Sequence, residues 1–134
     1  MLARIRKAQE ENEGFTLIEL LVVIIIIGIL AAIAIPVFLN QRQKGWDAQA
    51  KSDLKNMATA EETYLTDNNV YSADVADLTA NGFNESADNS AWTAAVFSTG
   101  AADGYCLQVT SKSSKVFYYE SDTGVPTTTP NTKC

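Results

Sequence analysis

The residue most in need of a chemical role is Glu19. It stands in the stretch GFTLIE at positions 14–19, at the head of LLVVIIIIGILAAIAIPVFLN, and is the sole charged side chain between Glu13 and Arg42. A lone carboxylate in hydrocarbon costs about 2.5–3.5 kcal/mol on insertion scales, and less near an interface. Pairing with a cation is the chemistry that would offset this. The second candidate pair is Cys106 and Cys134, which are the two cysteines of the chain. Two cysteines late in a small domain, behind a membrane-targeting segment, read as one disulfide in an oxidising compartment; two free thiols would fit a reducing one.

Other chemistries are excluded or thin. The chain has no histidine, which rules out Cys/His zinc sites and histidine-based catalysis. The nearest approach to a metal site is Glu120-Ser121-Asp122-Thr123-Gly124. Calcium takes six to eight oxygens, and two carboxylates fall well short; a turn is the better reading. There is no glycine-rich phosphate loop and no serine motif with a base. The expectation is a protein that is not an enzyme and holds no metal or cofactor.

The uncharged run Leu20–Leu39 has the ~20 residues needed to cross a bilayer core as a helix. Arg4, Arg6 and Lys7 precede it, which predicts a cytoplasmic N-terminus and an exported remainder. Three readings compete. One is an ordinary signal anchor. Another is a cleaved secretory signal, since Ala32-Ile33-Ala34 satisfies the A-x-A rule and cleavage there would release a chain starting at Ile35. The third gives GFTLIE a role of its own.

Residues 14–39, GFTLIELLVVIIIIGILAAIAIPVFL, resemble the N-terminal segment of type IV pilins and of the pseudopilins of type II secretion. The likeness extends over about 25 positions and is far more specific than a generic apolar run. It implies a leader, residues 1–14, that a prepilin peptidase removes by cutting after Gly14. It implies N-methylation of the new terminus, Phe15, an assembly role for Glu19, and a helix-breaking Pro36 later in the run. The leader departs from the pattern in that Gln9–Glu13 is acidic.

This resemblance gives Glu19 a partner. Cleavage would create a cationic amine on Phe15, one helical turn before the carboxylate. Paired with the Phe15 amine of an adjacent subunit, Glu19 would set register, the best-attested use of a buried charge. The alternative is an interfacial Glu facing lipid headgroups. Gly28, Ala31, Ala32 and Ala34 would allow close helix approach, and Pro36 would remove one backbone hydrogen bond and kink or loosen the helix. A helix that is apolar all round must be buried somewhere, and a filament core is the place implied.

Beyond Leu39 the pattern turns amphipathic. Trp46, Ala50, Leu54, Met57, Ala58, Tyr64 and Leu65 recur at three- and four-residue spacings, which predicts one helix from about Thr16 to Leu65, with Gly45 a second candidate bend. Lys44, Lys51 and Lys55 share another face, with Asp47 and Glu62 nearby. That face reads as solvated or inter-subunit rather than as a DNA site, because the net charge is −6. Residues 67–90 are Asn/Asp/Ser-rich, with a helical turn expected at Ser72–Leu78 and a turn at Asn81-Gly82. Strands are predicted at Trp92–Ser98, Tyr105–Thr110 and Lys115–Ser121, with a hairpin turn at Ser111–Ser114.

The expected fold is α+β. A long N-terminal helix, apolar in its first half and amphipathic in its second, packs on a small antiparallel sheet of about three strands. The divisions are a leader 1–14, an assembly helix 15–39 and a globular head 40–134 with a disulfide-closed tail. The function implied is a structural subunit of a type IV pilus, inserted in the inner membrane and then displayed outside the cell. Its implied partners are further copies of itself, the prepilin peptidase, an inner-membrane platform and an assembly ATPase. The alternatives are a pseudopilin of a secretion or DNA-uptake system, and a membrane-tethered binding module that never polymerises.

Overall fold

The computed structural model describes residues 14–99, 102–130 and Cys134. The leader 1–13 lies outside the described residues. The elements are helix α1 (Leu17–Asn68), helix α2 (Val75–Ala80) and strands β1 (Asn89–Thr99), β2 (Ala102–Ser111) and β3 (Val116–Glu120). The chain divides into two compact units, one ending at Leu39 and one starting at Asn40.

In the first unit α1 is clothed in Leu, Ile, Val and Ala, and its large apolar side chains are exposed. The helix assignment continues through Gly28, Pro36 and Gly45. In the second unit, the hydroxyls of Thr59, Thr63 and Thr66 donate to carbonyls four residues back. The helix ends where Asn69 takes a left-handed conformation (φ 60°), and its N–H donates to the Leu65 carbonyl at 2.7 Å. Asparagine tolerates that conformation better than most residues and makes a natural stop.

Helix α2 begins three residues later than the expected turn. Asp74 caps it by accepting from the Ala76 N–H at 2.9 Å. Its end is a Schellman arrangement on Gly82 (φ 101°). Phe83 N–H donates to the Leu78 carbonyl, Gly82 N–H to that of Thr79, and the Phe83 and Leu78 side chains are both fully buried.

The three strands form one antiparallel sheet in the order β1-β2-β3. β2 alternates as its sequence predicts: Tyr105, Leu107 and Val109 face the core, and Phe117 pairs with Val109 from β3. The turn between β2 and β3 closes through Ser114 N–H to the Ser111 carbonyl at 2.8 Å. β1 is interrupted by a bulge between Ser90 and Thr93, with Ala91 at φ 51°. There Trp92 meets Phe83 edge-on at 4.9 Å between centroids.

The core lies between α1 and the sheet, in Ala50, Leu54, Met57, Leu78, Phe83, Leu107, Val109 and Phe117. Ala50, Leu54, Met57 and Ala58 are buried as their spacing predicts, while Trp46, Tyr64 and Leu65 are half-buried. The tail returns beside β3, where Tyr118 and Thr127 exchange both backbone hydrogen bonds at 2.8 Å.

Candidate processing and assembly site

Gly14 and Phe15 lie just before α1, and Glu19 stands in its first turn. Thr16 caps this helix. The Thr16 N–H and hydroxyl both donate to Glu19 Oε2 at 2.8 Å, and the Glu19 N–H donates to the Thr16 hydroxyl at 3.3 Å. This reciprocal pattern is a capping box, which satisfies helix N-terminal donors that otherwise have no partner. It also sets the carboxylate at the positive end of the helix dipole. Phe15 is 91% exposed, and the backbone at Gly14 has open space around it, so the Gly14–Phe15 bond is accessible from solvent.

Gly28 and Pro36 lie farther along the same helix and are not brought to Glu19. A Cβ at Gly28 would meet nothing within 4 Å, so its small size leaves room for a neighbour outside the chain. Helix α1 is the one helix among the described residues long and apolar enough to cross a membrane.

The head is held by polar contacts that the periodicity does not announce. Spacing puts Asp47 near the lysine face, yet it is buried. It accepts from Ser111 Oγ at 3.1 Å, from Ser113 Oγ, and from Lys115 Nζ at 2.7 Å. These bonds fasten the β2–β3 turn to the helix. Burial pushes the Asp47 carboxyl up, but the hydrogen bonds from Lys115, Ser113 and Ser111 outweigh it and hold the group below its ordinary value. Asp53 accepts from Gln49 Nε2 at 2.8 Å and from Asn89 Nδ2 at 2.7 Å, tying β1 to the helix in the same way.

Glu61 is fully buried. Its Oε2 accepts the Ser72 N–H at 3.0 Å, while Oε1 has no partner. Burial pushes this carboxyl up to about 7, the Ser72 bond opposes the shift, and the charges of Glu62 and Asp77 add to it.

Cys106 and Cys134 form a disulfide across 28 residues, with their Cα atoms 5.6 Å apart. Closing a loop of that size contributes roughly 3–4 kcal/mol in the chain-entropy model. The Glu120–Gly124 segment is a turn: the Thr123 and Gly124 N–H groups donate to the Glu120 carbonyl at 3.2 and 3.0 Å. Among the described residues no group of three or more His, Cys, Asp or Glu side chains could hold a metal ion.

Two family models match the chain. Residues 12–35 match a prokaryotic N-terminal methylation motif. Residues 36–122 match a family described as type IV minor pilin ComP, DNA uptake sequence receptor. The chain is 37% identical over 95 residues to the type IV wide pilus major component PilA4 of Thermus thermophilus, covering 71% of this chain and 70% of that protein. It is 44% identical over 69 residues to the type IV major pilin protein PilA of Myxococcus xanthus, covering 52% of this chain and 31% of that protein. It is 40% identical over 63 residues to the type II secretion system core protein G of Pseudomonas aeruginosa, covering 47% and 44%. The chain therefore spans less than half the length of two of these three relatives.

Proposed function

The chain belongs to the type IV pilin family, and from that membership we propose that it is a structural subunit of a surface pilus, made as a precursor and polymerised through the apolar half of α1. Pilins are building blocks rather than enzymes, and their assembly is homo-oligomeric. The observation that carries the reading is the conjunction at the start of α1. The exposed apolar half of α1 follows directly on an accessible Gly14–Phe15 bond and carries its one carboxylate, Glu19, in the first turn.

In this reading a membrane-embedded peptidase cuts after Gly14 and the new Phe15 amine is methylated. The amine adds positive charge to the positive end of a helix dipole. Glu19 neutralises it. In a monomer the carboxylate is occupied by Thr16 through Oε2. In a filament the Phe15 amine of an adjacent subunit takes the other oxygen, and each incoming chain is indexed against the last. The bases Arg4, Arg6 and Lys7 keep the N-terminus cytoplasmic until then. The exposed Leu17–Leu39 surface sits in lipid before assembly and against sister helices after it, with an inner-membrane platform and an ATPase driving the transfer.

A pseudopilin role is the second reading, favoured by the likeness to the secretion core protein. A DNA-uptake role has the family description over residues 36–122 behind it, while the acidic total weighs against it.

The deciding experiment is the intact mass and N-terminal sequence of the protein from its native membrane and surface fractions. A start at Phe15 carrying one extra methyl group is expected. A start at Ile35 would mean release of a soluble head, and an uncut Met1 a tethered one; either would overturn the reading.

A further inference from the structure

The head separates its charges by sign. Between residues 56 and 111 there is no lysine or arginine, yet Glu61, Glu62, Asp67, Asp74, Asp77 and Glu85 all fall there. The bases precede and follow this stretch: Arg42, Lys44, Lys51 and Lys55 on α1, then Lys112 and Lys115 in the β2–β3 turn.

The fold gathers these two basic groups at one end. The Arg42 guanidinium and the Lys112 ammonium lie 5.0 and 5.5 Å from the centroid of the same Trp46 ring. Lys115 is anchored on neighbouring Asp47, and Lys51 stands 5.2 Å from the Phe117 ring centre. The aromatic faces hold like charges together that would otherwise separate. The described ion pairs of this end, Lys115–Asp47 and Lys112–Asp88, leave it net basic.

At the other end Ser72 draws the acids together. Its N–H donates to Glu61 at 3.0 Å and its hydroxyl to Asp77 at 2.8 Å, while Glu62 and Asp67 are exposed on α1. Twenty helical residues separate Arg42 from Glu62, or roughly 30 Å along the axis.

Copies repeated by a screw operation all keep the same polarity. With a displacement along this charge axis comparable to its length of roughly 30 Å, the basic end of one head comes to the acidic end of another. We propose that the Arg42/Trp46/Lys112 end and the Glu62/Asp67 end are the two halves of a heterologous contact between successive heads, the partner being a second copy of this chain. The inference rests on the filament reading and adds to it a salt-sensitive contact outside the apolar core. Charge complementarity of this kind fixes register and rejects wrong partners. A second copy is favoured over DNA or anionic lipid because the acidic complement is carried by the chain itself, whose net charge of −6 repels both.

The test uses the full chain in cells carrying a type IV assembly system, with sheared surface filaments quantified against membrane-bound subunit. Arg42→Glu with Lys112→Glu is expected to lower filament yield by about tenfold or more, as is Glu62→Lys with Asp67→Lys. The four changes together exchange the signs and are expected to recover most of the yield. Wild-type filaments should also shorten when held at high salt. Disulfide formation and the far-ultraviolet circular dichroism of each variant check that the head is folded. Wild-type yield from either two-residue reversal overturns the proposal, and so does failure of a folded fourfold exchange to recover. It is likewise overturned if the reversals abolish binding to duplex DNA or anionic vesicles while filaments persist. Absence of filaments from the wild-type chain would instead overturn the filament reading itself.

Discussion

Residues 14–39 and residues 40–134 solve the same problem, the covering of apolar surface, in opposite ways. In the head the apolar side chains of α1 are covered by its own sheet, and Ala50, Leu54 and Met57 are wholly buried. In the N-terminal unit the Ile and Leu side chains of the described helix are about half exposed or more. The acids differ too, being buried in the head and exposed at Glu19. Asp47, Asp53 and Glu61 have intramolecular partners from distant sequence, whereas Glu19 is held by a residue three positions away. One region is finished by folding and the other by association. A mutation in the first should register as stability, and one in the second as assembly.

The sharpest way to break that division is Glu19→Ala. Loss of a charge pair costing about 2.5–3.5 kcal/mol to leave unmade corresponds to roughly a hundredfold fall in filaments. Membrane insertion and the thermal midpoint of the head should not change. If Glu19→Ala subunits assemble at the normal level on sheared-filament blots, the pairing assigned to Glu19 is wrong.

Removing the disulfide acts on the other side. Cys106→Ser with Cys134→Ser should lower head stability by roughly 3–4 kcal/mol in denaturant unfolding, with N-terminal processing intact. An unchanged midpoint would show that the tail is held by its pairing to β3 alone.

Glu61 gives the head a pH dependence. Its pKa in the folded state, about 7, lies above the ordinary carboxyl value, so between roughly pH 4.5 and 7 the folded state holds more protons than the unfolded one. This contribution is fully present below the unfolded pKa and is lost as pH rises through the folded one. Glu61→Gln should flatten that decline and raise the midpoint at pH 8 relative to wild type. Asp47 works in the opposite direction at lower pH, since its carboxyl is held below its ordinary value and its contribution disappears on acidification. A Glu61→Gln profile parallel to wild type across pH 5–8 would refute the assignment.

The smallest expected effect is that of Thr16→Ala, which removes a capping box worth about 1 kcal/mol. It should fray the first turn of α1 in amide exchange without lowering insertion. If filament yield falls as far as for Glu19→Ala, the cap is part of the assembly contact and the two roles of Glu19 cannot be separated.

The fold was legible wherever a side chain faces one solvent on one period. The 3.6-residue stripe of Ala50, Leu54 and Met57 and the alternation of Tyr105, Leu107 and Val109 are signals of that kind. What stayed hidden was contact between distant polar groups. Nothing near Asp47 in the sequence announces Ser111, Ser113 and Lys115, and polar residues on a helix read as solvated by default. The capping box is legible in the sequence, where Thr16-x-x-Glu19 has the spacing that marks a helix start. The apolar context of Glu19 points to its charge, whereas its hydrogen bonds follow from its place at N3. Helix α2 began later than expected because Asp74, not Ser72, is the cap.

The Cys106–Cys134 bond has a mechanical meaning. A subunit in a loaded fibre extends, once its head opens, by the length of chain that comes free. The bond ties together residues 28 apart, which withholds roughly 90–100 Å of contour at extended-chain spacing. The strap that seals the third strand is therefore also a limit on stretch: a head forced open under tension lengthens the fibre by that much less.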